Sequence, residues 1–136
     1  MTAAMITRDQ IDRIVDFLEG RFGLDTLWLY GSEAEGTAKP DSDLDLAALF
    51  RQRTEPLAVF DARTDLEEIL HREVDLVDLD QTSPVLGMQV LKHGHLLVDR
   101  DPGRRHTAFG RILGLYEDVK LIRRDAEREV LRRMRR

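Results

Sequence analysis

Cysteine is absent from the 136 residues. That excludes disulfides, thiolate nucleophiles and cysteine-held zinc or iron–sulfur centres. Aromatic residues are sparse, at 6%, and there are four prolines and four histidines. No apolar run approaches the ~18–20 residues needed to cross a bilayer. The opening residues, Met1 to Ile6, hold no basic stretch followed by a long apolar one. No secretory signal is therefore expected, and a cytoplasmic address is the default.

What the chain has in quantity is charge. Asp, Glu, Lys and Arg make up 35% of it and apolar residues 42%, enough for one core and one domain spanning residues 1–136. The net charge of −5 hides an asymmetry. Residues 1–100 carry 10 Lys/Arg against 20 Asp/Glu, a net of −10, whereas residues 101–136 carry 11 against 6, a net of +5. An acidic body with a basic tail argues against direct nucleic-acid binding and points the tail at a partner.

Periodicity divides the chain into alternating elements. Thr7 with Gln10 fits a capping box, Ile11, Ile14, Val15, Leu18 and Phe22 follow at helical spacing, and Gly23 stops the helix. Leu27-Trp28-Leu29-Tyr30 reads as a buried strand ending in Gly31-Ser32. Residues 33–42 read as a short helical turn and a loop. In the strand 43–50, Asp43, Asp45, Ala47 and Leu49 share one face, and Leu44, Leu46, Ala48 and Phe50 the other. Pro56 opens a helix with Val59, Ala62, Leu66, Ile69 and Leu70 inward. Residues 73–79 form a strand with Asp75, Val77 and Leu79 opposite Val74, Leu76 and Asp78. Pro84 opens a helix closed by Gly94, and Leu96-Leu97-Val98 suits a short edge strand. Residues 101–134 form a long amphipathic helix with Phe109, Ile112, Tyr116, Val119, Ala126 and Val130 in its apolar row. The expected class is α/β (α+β): a small mixed sheet flanked by helices, with a core in 1–100 and an amphipathic helix in 101–136.

Chemistry concentrates at one place. Asp43 and Asp45 come ten residues after Gly31-Ser32 and share a strand face, and Asp75 follows on another strand. If the strands adjoin, three carboxylates meet at one sheet edge. At ~4 Å and an effective dielectric of ~20, each like-charge pair costs ~4 kcal/mol, so the cluster calls for a cation or a shifted proton. Carboxylates without His or Cys favour Mg²⁺ or Mn²⁺, whose shell is completed by phosphates and water. Gly31 lets a phosphate approach the backbone, and Ser32 adds a hydroxyl.

The stretch Tyr30-Gly31-Ser32-Glu33-Ala34-Glu35-Gly36-Thr37-Ala38-Lys39-Pro40-Asp41-Ser42-Asp43-Leu44-Asp45-Leu46, with Val74-Asp75-Leu76-Val77-Asp78-Leu79, resembles the minimal (MNT) nucleotidyltransferases of the DNA polymerase β-like superfamily. The resemblance covers most of the chain and implies the polymerase β-like fold. It implies that Gly31 and Ser32 hold the triphosphate of ATP. It also implies that Asp43, Asp45 and Asp75 ligate two Mg²⁺ ions (Mn²⁺ as a substitute) and are the catalytic residues, Asp75 also helping to deprotonate the incoming hydroxyl. The implied reaction transfers AMP to a protein hydroxyl, a tyrosine, of a HEPN-domain ribonuclease toxin, which this chain would silence as antitoxin within a hetero-oligomer. Relatives often carry a basic residue near position 35, where this chain has Glu33 and Glu35, with Lys39 nearby. That departure keeps open a weak or silent antitoxin that acts by binding alone. A small-molecule O-nucleotidyltransferase is a third reading, for which 136 residues leave little room.

Other residues read more plainly. Asp78 has the wrong strand parity for the cluster and reads as structural or solvated rather than as a fourth ligand. His93 and His95 read as surface histidines, and Trp28 and Tyr30 as core. The arginines at 123, 124, 128, 132, 133, 135 and 136 read as a solvated helix face, a partner-docking surface or an RNA contact, interleaved by Asp125, Glu127 and Glu129.

Overall fold

The computed structural model describes residues 6–31, 34, 36 and 43–135. Its elements are α1 (Arg8–Phe22), β1 (Leu24–Tyr30), β2 (Leu44–Phe50), α2 (Pro56–Leu70), β3 (Val74–Asp78), α3 (Pro84–His93), β4 (His95–Asp99) and α4 (Pro102–Met134). The four strands form one mixed sheet in the order β3-β2-β1-β4. β1 runs antiparallel to β2 and β4, and β2 runs parallel to β3 through the α2 crossover.

Local chemistry starts and stops the helices. The Thr7 hydroxyl accepts from the Gln10 amide at 3.1 Å, and the Gln10 side chain accepts from the Thr7 amide at 2.9 Å. Proline stands in the first turn of α2, α3 and α4, where a missing N–H costs nothing.

Strand alternation sorts the core into two layers. Leu44, Leu46, Ala48 and Phe50 of β2 join Ile14, Leu18, Ala62 and Leu66 beneath α1 and α2. Ala47 and Leu49 join Trp28, Leu79, Met88, Ala108 and Ile112 beneath α3 and α4. Each fully buried Leu or Ile contributes about 1.5–3 kcal/mol of transfer free energy. The surface reading of the histidines and the core reading of Trp28 stand: Trp28 is buried, while His93 and His95 are exposed.

Two expectations are corrected. β1 begins at Leu24, three residues before the apolar run, and takes in the buried Asp25 and Thr26. A register shift against β2 accommodates Asp25, whose carboxylate pairs with Arg104 at 2.9 Å and Arg51 at 3.5 Å. These charges come from distant elements, so periodicity could not show them. In α4, Ala108 and Ile112 are buried, whereas Phe109 is 42% exposed. The helix is rotated toward Ala108 because Arg104 also donates to the Phe50 carbonyl at 2.8 Å, and Arg111 donates to the Leu79 carbonyl at 3.1 Å.

Candidate active site

β1 ends at Tyr30, and the chain turns at Gly31 with φ +70°. That angle disfavours any side chain. A second reason is local: a Cβ at Gly31 would collide with Oδ2 of Asp45 and lie 3.1 Å from its Cγ. Glycine therefore lets the backbone press directly against a carboxylate. Ser32, Glu33, Glu35 and Lys39 lie outside the described residues.

Asp45 occupies the centre of the site. Its Cα is paired with Tyr30 on the antiparallel side and with Asp75 on the parallel side. The sheet thus brings Asp45 and Asp75 into adjacent positions on one face. The Tyr30 hydroxyl donates to Oδ2 of Asp75 at 3.1 Å, and an Arg63 guanidinium nitrogen is 3.7 Å from Oδ1. Asp43, exposed just before β2, shares a hydrogen bond with Glu73. Asp43, Asp45, Arg63, Glu67, Glu73 and Asp75 line one polar cleft of about 340 Å³.

This crowding moves protons. Burial, and then the charges of Asp75 and Asp43, push the Asp45 carboxyl up to about 6, against a smaller opposing pull from Arg72. Burial and the strand carboxylates of Asp75 and Asp45 raise the Tyr30 phenol far above its ordinary range, so it stays a donor. The hydrogen bond and charge of Asp43 hold Glu73 above the usual carboxylate range.

Three residues here escaped the sequence reading. Tyr30 was assigned to the core; its ring is buried as expected, but its hydroxyl belongs to the site. Glu73 was legible, since it lies two residues before Asp75 on the same strand parity. Arg63 was not, because its position depends on how α2 packs against β3. Asp78, by contrast, is buried near the other end of β3. It accepts from the Thr54 hydroxyl at 2.6 Å, the Asp80 amide at 2.9 Å and the Gln81 amide at 3.2 Å. Its role is structural.

The donor set suits a hard divalent cation. The acidic groups are all carboxylates, Asp45 holds its proton up to about pH 6, below which a cation would compete for it, and Gly31 packs against that carboxylate with no side chain between them. Among the described residues, no three His, Asp or Glu side chains are grouped so that together they could hold a metal ion. A cation at these carboxylates would draw the rest of its shell from phosphate and water. Among the described residues, no helix is long and apolar enough to cross a membrane.

Gly31 at the end of β1, Asp45 on the antiparallel β2 and Asp75 on the parallel β3 form an arrangement suited to nucleotidyl transfer. Residues 12–103 match the family model "Polymerase beta, Nucleotidyltransferase", and the chain belongs to that family. Within it the chain is of the MNT type. It is 36% identical over 74 residues to the protein adenylyltransferase MntA of Shewanella oneidensis, a stretch covering 54% of this chain and 53% of that protein. The match thus spans about half the length of that curated relative. A crystal structure of a toxin–antitoxin with AMP-PNP superimposes with a TM-score of 0.77 at 25% identity, over 93% of this chain and 99% of that one. The tri-AMPylated Shewanella oneidensis HEPN toxin in complex with MNT antitoxin matches with a TM-score of 0.75 at 23% identity, over 93% and 99% of the two chains, and shares the fold.

Proposed function

We propose that this chain is an Mg²⁺-dependent adenylyltransferase that moves AMP from ATP to a tyrosine hydroxyl of a HEPN ribonuclease toxin, and so acts as its antitoxin. One observation carries the reading: Asp45 and Asp75 are in register on parallel strands, and Gly31 is pressed against the Asp45 carboxylate. The similarity to a protein adenylyltransferase and to a toxin–antitoxin with AMP-PNP supports the nucleotide and the partner.

Asp43, Asp45 and Asp75 would hold the metal, which when bound supplies charge neutralisation of the phosphates and activation of the attacking oxygen. The chain's own residues do the rest. Gly31 leaves room for the phosphates beside the carboxylates. Asp75 accepts the proton of the incoming hydroxyl while the oxygen–phosphorus bond forms and pyrophosphate leaves. Tyr30 and Arg63 hold the two Asp75 oxygens from opposite sides, which orients the base.

Intact-mass spectrometry of the cognate HEPN protein with this chain, ATP and Mg²⁺ tests the proposal. A gain of one or more AMP masses, abolished by EDTA and by Asp75→Asn, is expected. Undiminished transfer in Asp75→Asn rejects the assignment of the site. A second reading, neutralisation by binding alone, is favoured by the uncovered outer half of α4. Under that reading Asp43→Asn leaves neutralisation intact.

A further inference from the structure

α4 is half anchored and half bare. Ala108, Ile112, Leu115, Val119, Ile122 and Ala126 follow one another at intervals of 4, 3, 4, 3 and 4 residues, and Val130 comes four later. This is the spacing of a continuous seam made to face another helix. Ala108 and Ile112 of the seam are buried in the sheet's second layer, and Tyr116 is the last residue of α4 packed on that layer. At about 1.5 Å per residue, Met134 lies ~27 Å beyond Tyr116. Along that length Ile122 is 69% exposed and Val130 56%, with Leu121, Leu131 and Met134 also open. An apolar row without a partner is unfavourable in water, and among the described residues nothing covers this one.

Charge selects what covers it. Residues 121–135 carry six arginines against three acidic residues. Glu129 is shared by Arg132 at 2.7 Å and Arg133 at 3.2 Å. Among the described residues, Arg123, Arg124 and Arg128 have no carboxylate in ion-pair reach. Arg123 borders a shallow groove with Ala126, Glu127, Val130 and Leu131. A second copy would set two net-positive helices against each other. An anionic membrane would meet Asp125, Glu127 and Glu129 interleaved among the arginines. A protein surface with its own apolar ridge and carboxylates placed for Arg123 and Arg128 satisfies both the seam and the charge.

We infer that the outer half of α4, centred on Ile122, Ala126 and Val130 with Arg123 and Arg128 at its margins, is the docking surface for an acidic, helical face of the toxin. This inference rests on the proposed function for the identity of the partner, but not on AMP transfer. It separates docking on α4 from chemistry at Asp45 and Asp75.

Calorimetric titration of the full chain with the cognate HEPN protein, without ATP, provides the test. Ile122→Glu combined with Val130→Glu is expected to weaken binding ~30-fold or more, the scale of a central interface residue. Arg123→Glu with Arg128→Glu is expected to weaken it further as salt is lowered. Both double variants should keep the wild-type Tm and AMP-PNP affinity, because they touch neither the core nor the cleft. If wild type binds without transferring AMP and the α4 variants lose binding, the docking surface stands and the transferase reading falls. If wild type transfers AMP and the α4 variants bind and transfer equally well, the docking inference is overturned and the transferase reading stands. Three other results overturn it: no binding by wild type, a self-dimer in sedimentation that the α4 variants abolish, or α4-dependent flotation with phosphatidylserine vesicles.

Discussion

Two pairs of aspartates lie near opposite ends of the same sheet and behave in opposite ways. Asp25 and Asp78 are more deeply buried than Asp45 and Asp75. Arg104 and Arg51 reach Asp25, and Thr54, Gln81 and the Asp80 amide reach Asp78. Neither of these residues faces a second carboxylate on the neighbouring strand. Asp45 and Asp75 stand side by side, and the pair is only partly offset by Arg63 and Arg72. Burial alone does not mark function here. The mark is a carboxylate pair whose charge the described residues offset only in part, although deeper ones elsewhere are neutralised. Such a pair is a standing requirement for an external cation.

Substitutions at the two ends should separate these roles. The largest effect is expected from Asp45→Asn. Loss of that electrostatic contribution should reduce AMP transfer by ~10²–10³-fold in a mass-spectrometric time course. The same change should raise Tm at pH 7.5, since it removes a like-charge neighbour. At the structural end the sign reverses. Asp25→Ala breaks a buried pair and should lower stability by about 3 kcal/mol, a Tm loss of roughly 10 °C by calorimetry, with transfer retained below the transition. A Tm fall for Asp45→Asn, or none for Asp25→Ala, would erase the distinction.

Gly31→Ala should combine both effects. The positive φ and the collision with Asp45 together should cost about 1–3 kcal/mol and displace the carboxylate, so that metal binding weakens along with stability. The smallest effect is one of pH. Asp45 is pushed up to about 6 from the ordinary 3.8 of an aspartate. Between those values the folded chain keeps a proton that the unfolded chain has lost, so this group's contribution to stability falls as pH rises through the window. Mg²⁺ must displace that proton below about pH 6. The rise in Tm on adding Mg²⁺ should therefore be larger at pH 7.5 than at pH 5, and the difference should shrink in Asp45→Asn. An equal rise at both pH values would show that the ion does not engage Asp45.

Much of this was legible in the residues. The capping box at Thr7, the prolines opening α2 and α3 and the period-2 faces of β2 and β3 were local signals, and each appears in the structure. The pairing of Asp45 with Asp75 was legible on the condition that the strands adjoin, and they do. Tyr30 was harder to place. A tyrosine in an apolar strand reads as core, and its ring is core; the hydroxyl acquires its role from a residue 45 positions away. Arg63 and Arg104 gave no local signal. Each acts across the gap between a helix and the sheet, where long side chains reach partners that no spacing rule encodes.

The sequence by itself determined the elements, their buried faces and the types of chemical group gathered for the site, because backbone propensity and alternation act over a few residues. Tertiary structure alone decided which carboxylates are neutralised and which are left crowded, because that depends on which arginine each helix brings over the sheet. It decided also that α4 outruns the core: the helix keeps its apolar seam past Tyr116, while the surface that covered the first half has ended.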